Sequence, residues 1–188
     1  FEQHRPVGST SNIHFATRKV TIEAARSQLN AVVLDGPKGN SWEESVAGIL
    51  ERHRDVHSYA KNDRLGFEVP YVHQGKSHRY IPDFLVRMTR QDDGVARTLI
   101  IEVSGGQKSP GPTMAKATTA RDQWCVAVNN HGGWAIWAYL QVNDIAKAST
   151  EINAALDLLA QARPNAKQLA ARPRQADAHS NTLEPAAL

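Results

Sequence analysis

The stretch that decides the fold is residues 79–104, RYIPDFLVRMTRQDDGVARTLIIEVS. Two apolar runs, at 84–88 and 98–103, flank the turn signal QDDG at 91–94. Runs of this length around a turn cluster read as neighbouring antiparallel strands. Setting Met88 opposite Arg97 brings Asp83 opposite Glu102. Directly opposed residues share a sheet face, with Cβ atoms roughly 4.5–5.5 Å apart. A slip of one residue would put the two carboxylates on opposite faces. In this register they repel each other, and Ile81, Leu85 and Ile100 around them penalise their charge. A divalent oxygen-seeking cation removes both penalties, and Mg2+ binds through one or two carboxylates plus water and phosphate. The competing structural reading has Asp83 capping a turn after Pro82 and Glu102 pairing with an arginine such as Arg87.

Working outward, residues 1–12 are polar and carry Pro6 and Gly8, so 1–19 read as a leading arm. Residues 13–22 alternate as a strand or strand pair, and LNAVVLD (29–35) is a short strand ending at the breaker-rich GPKGN. Ser41 and Glu44 have the spacing of a capping box, and Trp42, Val46, Ile49 and Leu50 form a helical stripe behind them. Glu43 lies on the core-facing side of that helix with Val46, Ala47 and Leu50, where a carboxylate needs a partner. A metal is one candidate; an ordinary first-turn glutamate favoured by the helix dipole is the other. Residues 56–64 read as a loop and short strand, and 67–88 as a hairpin turning at HQGKS. After the strand at 97–105, the loop 105–112 leads to a helix over 113–124. CVAVNNHGG (125–133) reads as a strand into a tight turn, 134–142 as another strand, and 144–162 as an amphipathic helix. From Arg163 the chain has almost no large apolar residues and reads as a disordered tail over 163–188. The expected architecture is an α/β sandwich with a mixed central sheet flanked by helices. Its body spans 20–147, with 148–162 as a C-terminal helix.

With 188 residues and 41% hydrophobic content, one domain with a real core is expected. The net charge of +3 and a pI near 9.1 lean basic. A single cysteine, Cys125, rules out an internal disulfide and a cysteine-based zinc cluster, and fits a reducing cytoplasmic setting. No apolar run approaches the roughly 18 residues that span a bilayer. The first residues, FEQHRPVGST, lack an initiating methionine and a signal pattern, and read as the start of a fragment of a longer protein.

YIPDFLVR followed by LIIEVSGG resembles the PD-(D/E)xK nuclease signature, with Pro82-Asp83 and then Glu102-Val103-Ser104 in the E-x-K place. SWEE at 41–44 resembles that fold's first helix with its acidic residue. LNAVVLD, YAKNDRLGFEVPYVHQGKSHRYIPDFLVR (59–87) and QWCVAVNNHGGW (123–134) extend the likeness. Over about 20–145 the chain is similar to the C-terminal endonuclease domain of type III restriction enzyme Res subunits.

The resemblance implies a restriction-endonuclease-like fold and Mg2+-dependent hydrolysis of phosphodiester bonds in double-stranded DNA, with Mn2+ as a substitute ion. It implies that Asp83, Glu102, the Val103 carbonyl and Glu43 hold the metal. It also implies a methyltransferase (modification) subunit as partner and an ATP-dependent helicase motor upstream. These 188 residues contain no G-x-x-x-x-G-K-[ST] loop, so ATP would enter only through that motor. Ser104 stands where the family's catalytic lysine is expected. Three explanations compete: the lysine has moved, to Lys116 first or Lys108 second; the domain keeps DNA binding without cleavage; or Ser104 is a recent inactivating change. Arg79, Lys108 and His131 are candidate DNA contacts, as are Arg87, Lys76 and Lys61, since lysine and arginine supply sequence-independent affinity for phosphate. A solvated surface role is the alternative for each.

Overall fold

The computed structural model describes residues 10, 13–37, 39, 41–105 and 110–171. The chain opens with an antiparallel ribbon of β1 (Thr21–Glu23) and β2 (Ala31–Val33), whose Val32, Val33 and Leu34 are buried. Helix α1 (Trp42–Arg52) follows and buries Val46, Ala47 and Leu50. Ser41 does occupy the N-cap position with extended backbone, but its hydroxyl makes no capping bond. The Glu44 carboxylate takes the Gly39 N–H instead, so the capping box does not close.

Residues expected as loop and short strand are β3 (Val56–Lys61). The segment expected as one hairpin divides in two. β4 (Val69–His73) and β5 (Lys76–Tyr80) form the hairpin, turning at Gln74 and Gly75, both with positive φ. That geometry matches the twist of the paired strands. The chain then leaves at Ile81-Pro82, where proline has no N–H to donate to a ladder, and β6 (Phe84–Met88) joins another sheet. β7 (Arg97–Val103) is buried along its whole length.

The crossover after β7 is one continuous helical path of α2 (Pro110–Thr118), a π-helical segment (Thr119–Trp124) and α3 (Cys125–His131). This corrects the strand expected at 125–133. The apolar run CVAV fits either period in isolation; Cys125 and Val128 are buried while Val126 and Ala127 face out, a helical spacing. Gly132 ends α3 in the left-handed conformation (φ 74°), the usual solution at a helix C-terminus. Asn129 then folds its amide onto β8 (Ile136–Val142): Oδ1 accepts from Trp137 N–H at 2.8 Å and Nδ2 donates to the Trp137 carbonyl at 2.9 Å.

The main sheet has the order β3-β6-β7-β8, antiparallel except for the parallel pair β7–β8. Residues 26–28 run along the outer side of β3, with Gln28 N–H donating to the Tyr59 carbonyl at 2.7 Å and Tyr59 N–H to that of Arg26 at 3.0 Å. One face is covered by α1 and by α4 (Ala148–Gln161), whose Ile152, Leu156 and Leu159 join Phe84, Val86, Leu99 and Ile101 in the core. Helix α4 is thus part of the core. Buried Arg97 fastens its end, donating to the carbonyls of Leu159 (2.9 Å) and Ala162 (2.8 Å). The other face carries the β4–β5 hairpin and the crossover helices, with Val69, Tyr71, Tyr80 and Ala120 buried together.

The tail expected to be disordered from 163 instead forms α5 (Ala166–Ala171). Polar contacts hold it where large apolar residues are lacking. Gln168, only 3% exposed, exchanges two 2.9 Å hydrogen bonds with Asn165, and Asn165 Nδ2 donates to the Asn129 carbonyl at 2.7 Å. Residues 172–188 lie outside the described residues. Among the described residues, no helix is long and apolar enough to cross a membrane.

Candidate functional site

At one rim of the main sheet the side chains of four strands form a row. Lys61 pairs with Phe84, Phe84 with Ile101, and Glu102 with Gln141. The same registers carried one residue further set Asn62 beside Asp83 and Asp83 beside Glu102, and Asn62 N–H donates to the Asp83 carbonyl at 2.7 Å. The row Asn62–Asp83–Glu102–Gln141 therefore crosses all four strands on one face. Two residues away lies the parallel row Ala60–Leu85–Ile100–Tyr139. The β6–β7 register is the one expected from the sequence, so the two carboxylates share a face.

Each carboxylate has a distinct setting. Asp83 Oδ2 accepts the Val103 N–H at 2.7 Å, which ties β6 to β7 beyond their ladder. Its Oδ1 takes no hydrogen bond among the described residues. Glu102 is 9% exposed, and its Oε2 accepts from the Tyr80 hydroxyl at 3.1 Å. The Tyr80 and Tyr139 hydroxyls lie 3.3 Å apart. Burial, and then the charge of Glu102, push the Tyr80 phenol far above its usual value. Burial likewise raises Tyr139, which also feels Glu102 and Asp83. Both phenols therefore keep their protons: Tyr80 donates to Glu102, and the Tyr139 hydroxyl lies against that of Tyr80.

Lys116, in the last turn of α2, stands with its ammonium 5.5 Å from the centre of the Tyr80 ring, within cation–π range. The structure thus brings the leading substitute lysine to the tyrosine that holds Glu102. Arg121, one turn onward, is close enough to Tyr139 to act on it electrostatically, while pairing with Asp122 at 2.7 Å. Ser104 follows β7, and its N–H extends the β7–β8 ladder to the Val142 carbonyl at 2.9 Å. Lys108 lies outside the described residues.

Other expected site residues are placed elsewhere. Glu43 is held on the opposite side of the sheet, among the α1 contacts. Its Oε1 lies 3.0 Å from the Lys61 ammonium, and its Oε2 accepts the Asp35 N–H at 2.9 Å. Its core-facing position is satisfied by a buried lysine, not by the carboxylate row. Burial raises Glu43 above its ordinary value. Asp35 is also opposed by burial, but hydrogen bonds from Lys19 and Lys61 outweigh it and hold that carboxyl well below the usual range. Lys61, expected at a DNA surface, is the buried centre of this cluster. Arg79 is exposed and pairs with Glu68 at 3.1 Å. His131 is not in a turn between strands. It ends α3, stacked on Trp134 at 4.6 Å, near the start of β8, whereas the row lies near the end of that strand.

The sequence reading missed Asn62, Tyr80, Tyr139 and Gln141. Tyr80 had a signal, standing three residues before Asp83 at the end of a strand. The others required the β3 and β8 registers, which no short turn fixes. Among the described residues, no three His, Cys, Asp or Glu side chains are gathered closely enough to hold a metal ion. Two hard carboxylates, two phenol donors and one ammonium can polarise and orient a phosphate ester if a cation joins them. Comparison with protein-family models, curated proteins and solved structures returns no match to this chain.

Proposed function

We propose that this chain is a Mg2+-dependent DNA endonuclease domain of the restriction-endonuclease-like fold, belonging to a type III restriction-like helicase–nuclease that works with a modification subunit. The observation that carries this reading is the pairing of Asp83 and Glu102 on adjacent strands of one face, with the Lys116 ammonium over the ring of Tyr80, which donates to Glu102. The mixed sheet β3-β6-β7-β8, with α1 and α4 on one face and the crossover helices on the other, supports it as the α/β sandwich that the resemblance implies.

The donor set fits the ion. Asp83 Oδ1 has no hydrogen bond among the described residues, and both side chains offer hard oxygen ligands of the kind Mg2+ takes. Val103 would contribute through its backbone, and Glu43 is left out of the set because Lys61 holds it. Bound there, Mg2+ supplies Lewis-acid stabilisation of the charge that grows on the phosphodiester oxygens. The chain's residues do the rest. Asp83 and Glu102 fix the ion's position, Tyr80 orients Glu102, and Lys116 offsets phosphate charge and orients the attacking water in place of the missing E-x-K lysine.

Titrating Mg2+ or Mn2+ into the chain by calorimetry tests this. Asp83→Asn keeps an acceptor for the Val103 N–H, and Glu102→Gln keeps one for Tyr80, so both variants should fold. Each is expected to weaken ion binding by at least about tenfold and to abolish DNA cleavage by the helicase-bearing protein. Unchanged binding in both would overturn the reading. Lys116→Ala should leave ion binding intact and lower cleavage by roughly 10²-fold. Ser104 favours a second reading, a DNA-binding module without cleavage. In that case Lys116→Ala and Ser104→Lys change nothing in turnover, while salt still weakens DNA binding.

A further inference from the structure

The residue that closes the row on the β3 side has an unmet need. Asn62 is 6% exposed, and its Oδ1 is buried with no hydrogen-bond partner among the described residues. Its other polar groups are in use: the backbone N–H donates to the Asp83 carbonyl at 2.7 Å, and Nδ2 donates to the Phe67 carbonyl at 2.8 Å. The Phe67 contact fixes which way the amide faces, since the reversed amide would set oxygen against oxygen. Buried amide oxygens are almost always paired. A carbonyl-type oxygen is an acceptor only, so its missing partner is a cation or a hydrogen-bond donor, never a phosphate oxygen.

The surroundings narrow the choice. Asn62 sits directly across from Asp83 on an antiparallel neighbour, and such pairs have Cβ atoms roughly 4.5–5.5 Å apart on the same face. The next residue of the row is Glu102. Two carboxylates beside an unsatisfied amide oxygen make a hard, oxygen-only set with two negative charges, which attracts a divalent cation. We infer that Asn62 Oδ1 is a third protein ligand of a divalent cation held by Asp83 and Glu102, which rests on the reading of those two carboxylates as a metal site.

The test is Mn2+ binding by the whole chain, followed by electron paramagnetic resonance, together with line broadening of the Asn62 side-chain NH2 signal in the nuclear magnetic resonance spectrum. Asn62→Ala is expected to weaken Mn2+ binding by about tenfold or more. Asn62→Asp, which restores an oxygen but not the Nδ2 donor, should recover it. The Asn62 NH2 signal should broaden in the wild type and stay sharp in Asp83→Asn. If Asn62 only anchors Phe67, both Asn62 variants lower the melting temperature and bind Mn2+ like the wild type, and the inference is overturned. If Asn62→Ala does not fold, Asn62→Leu, which keeps the bulk of the side chain without its oxygen, takes its place in the Mn2+ titration, with loss of binding expected and wild-type binding overturning the inference. Binding lost in Asp83→Asn and Glu102→Gln but unaltered at Asn62 sinks this ligand while leaving the two-carboxylate site. Absence of wild-type binding, with or without double-stranded DNA, overturns both.

Discussion

Lys61 sets the terms at the scale of single residues. Its side chain is 6% exposed, and its ammonium meets Asp35 at 2.7 Å and Glu43 at 3.0 Å. Taking a lysine out of water is costly, and the two carboxylates offset that cost only while all three stay together. Removing the cation leaves Glu43 largely buried beside Asp35, with only the exposed Lys19, which pairs with Asp35, as a cation nearby. Lys61→Ala is therefore expected to lose about 3 kcal/mol of stability, read from chemical denaturation. The double variant Lys61→Met, Glu43→Gln should recover much of that loss, because no buried charge remains. A lysine at this point in a strand reads as a surface residue when the sequence is all one has. Its partners lie 26 and 18 residues earlier in the chain, on a ribbon and a helix whose positions no local pattern fixes. The same distance hid Glu43's role, since the sequence marks a core-facing glutamate without naming its partner.

Elements meet at closer tolerances than side chains alone would require. Where β7 ends, Gly105 lies against the Trp42 ring at the start of α1, and a Cβ at that glycine would stand 2.7 Å from the ring. Neither the strand end nor the helix can yield without disturbing the core between them. Gly105→Ala should cost about 1–3 kcal/mol, measured as a fall in thermal or denaturant midpoint. Elements with strong local signals were legible: the α1 stripe, the strands β6 and β7 and their register across a short turn, and the α4 pattern. The β6–β7 register matters most, because the sequence pattern alone puts Asp83 and Glu102 on one face. Elements defined by distant contacts were not legible. CVAV at 125–128 suits a strand as well as a helix until the position of β8 is known. Residues 166–171 form a helix because Asn165 and Gln168 find hydrogen bonds, a signal that hydrophobic patterning does not carry. Asn62 stayed hidden for a related reason, since residues 56–64 read as a loop and short strand whose register no local signal fixes.

For the whole molecule, the sheet's two outer strands decide how it can meet other chains. An uncovered outer strand presents a row of unpaired N–H and C=O groups to any extended segment. On β8, the Asn129 amide takes both the N–H and the carbonyl of Trp137, so a side chain does the work of a neighbouring strand. On β3, residues 26–28 take the N–H and carbonyl of Tyr59. Asn129→Ala should expose the Trp137 pair and lower the concentration at which the protein self-associates, as followed by light scattering; Asn129→Gln is too long to restore the fit. On each flank one point of the ladder is thus already taken from within, so a guest strand laid along β8 or β3 would first have to displace the Asn129 amide or residues 26–28.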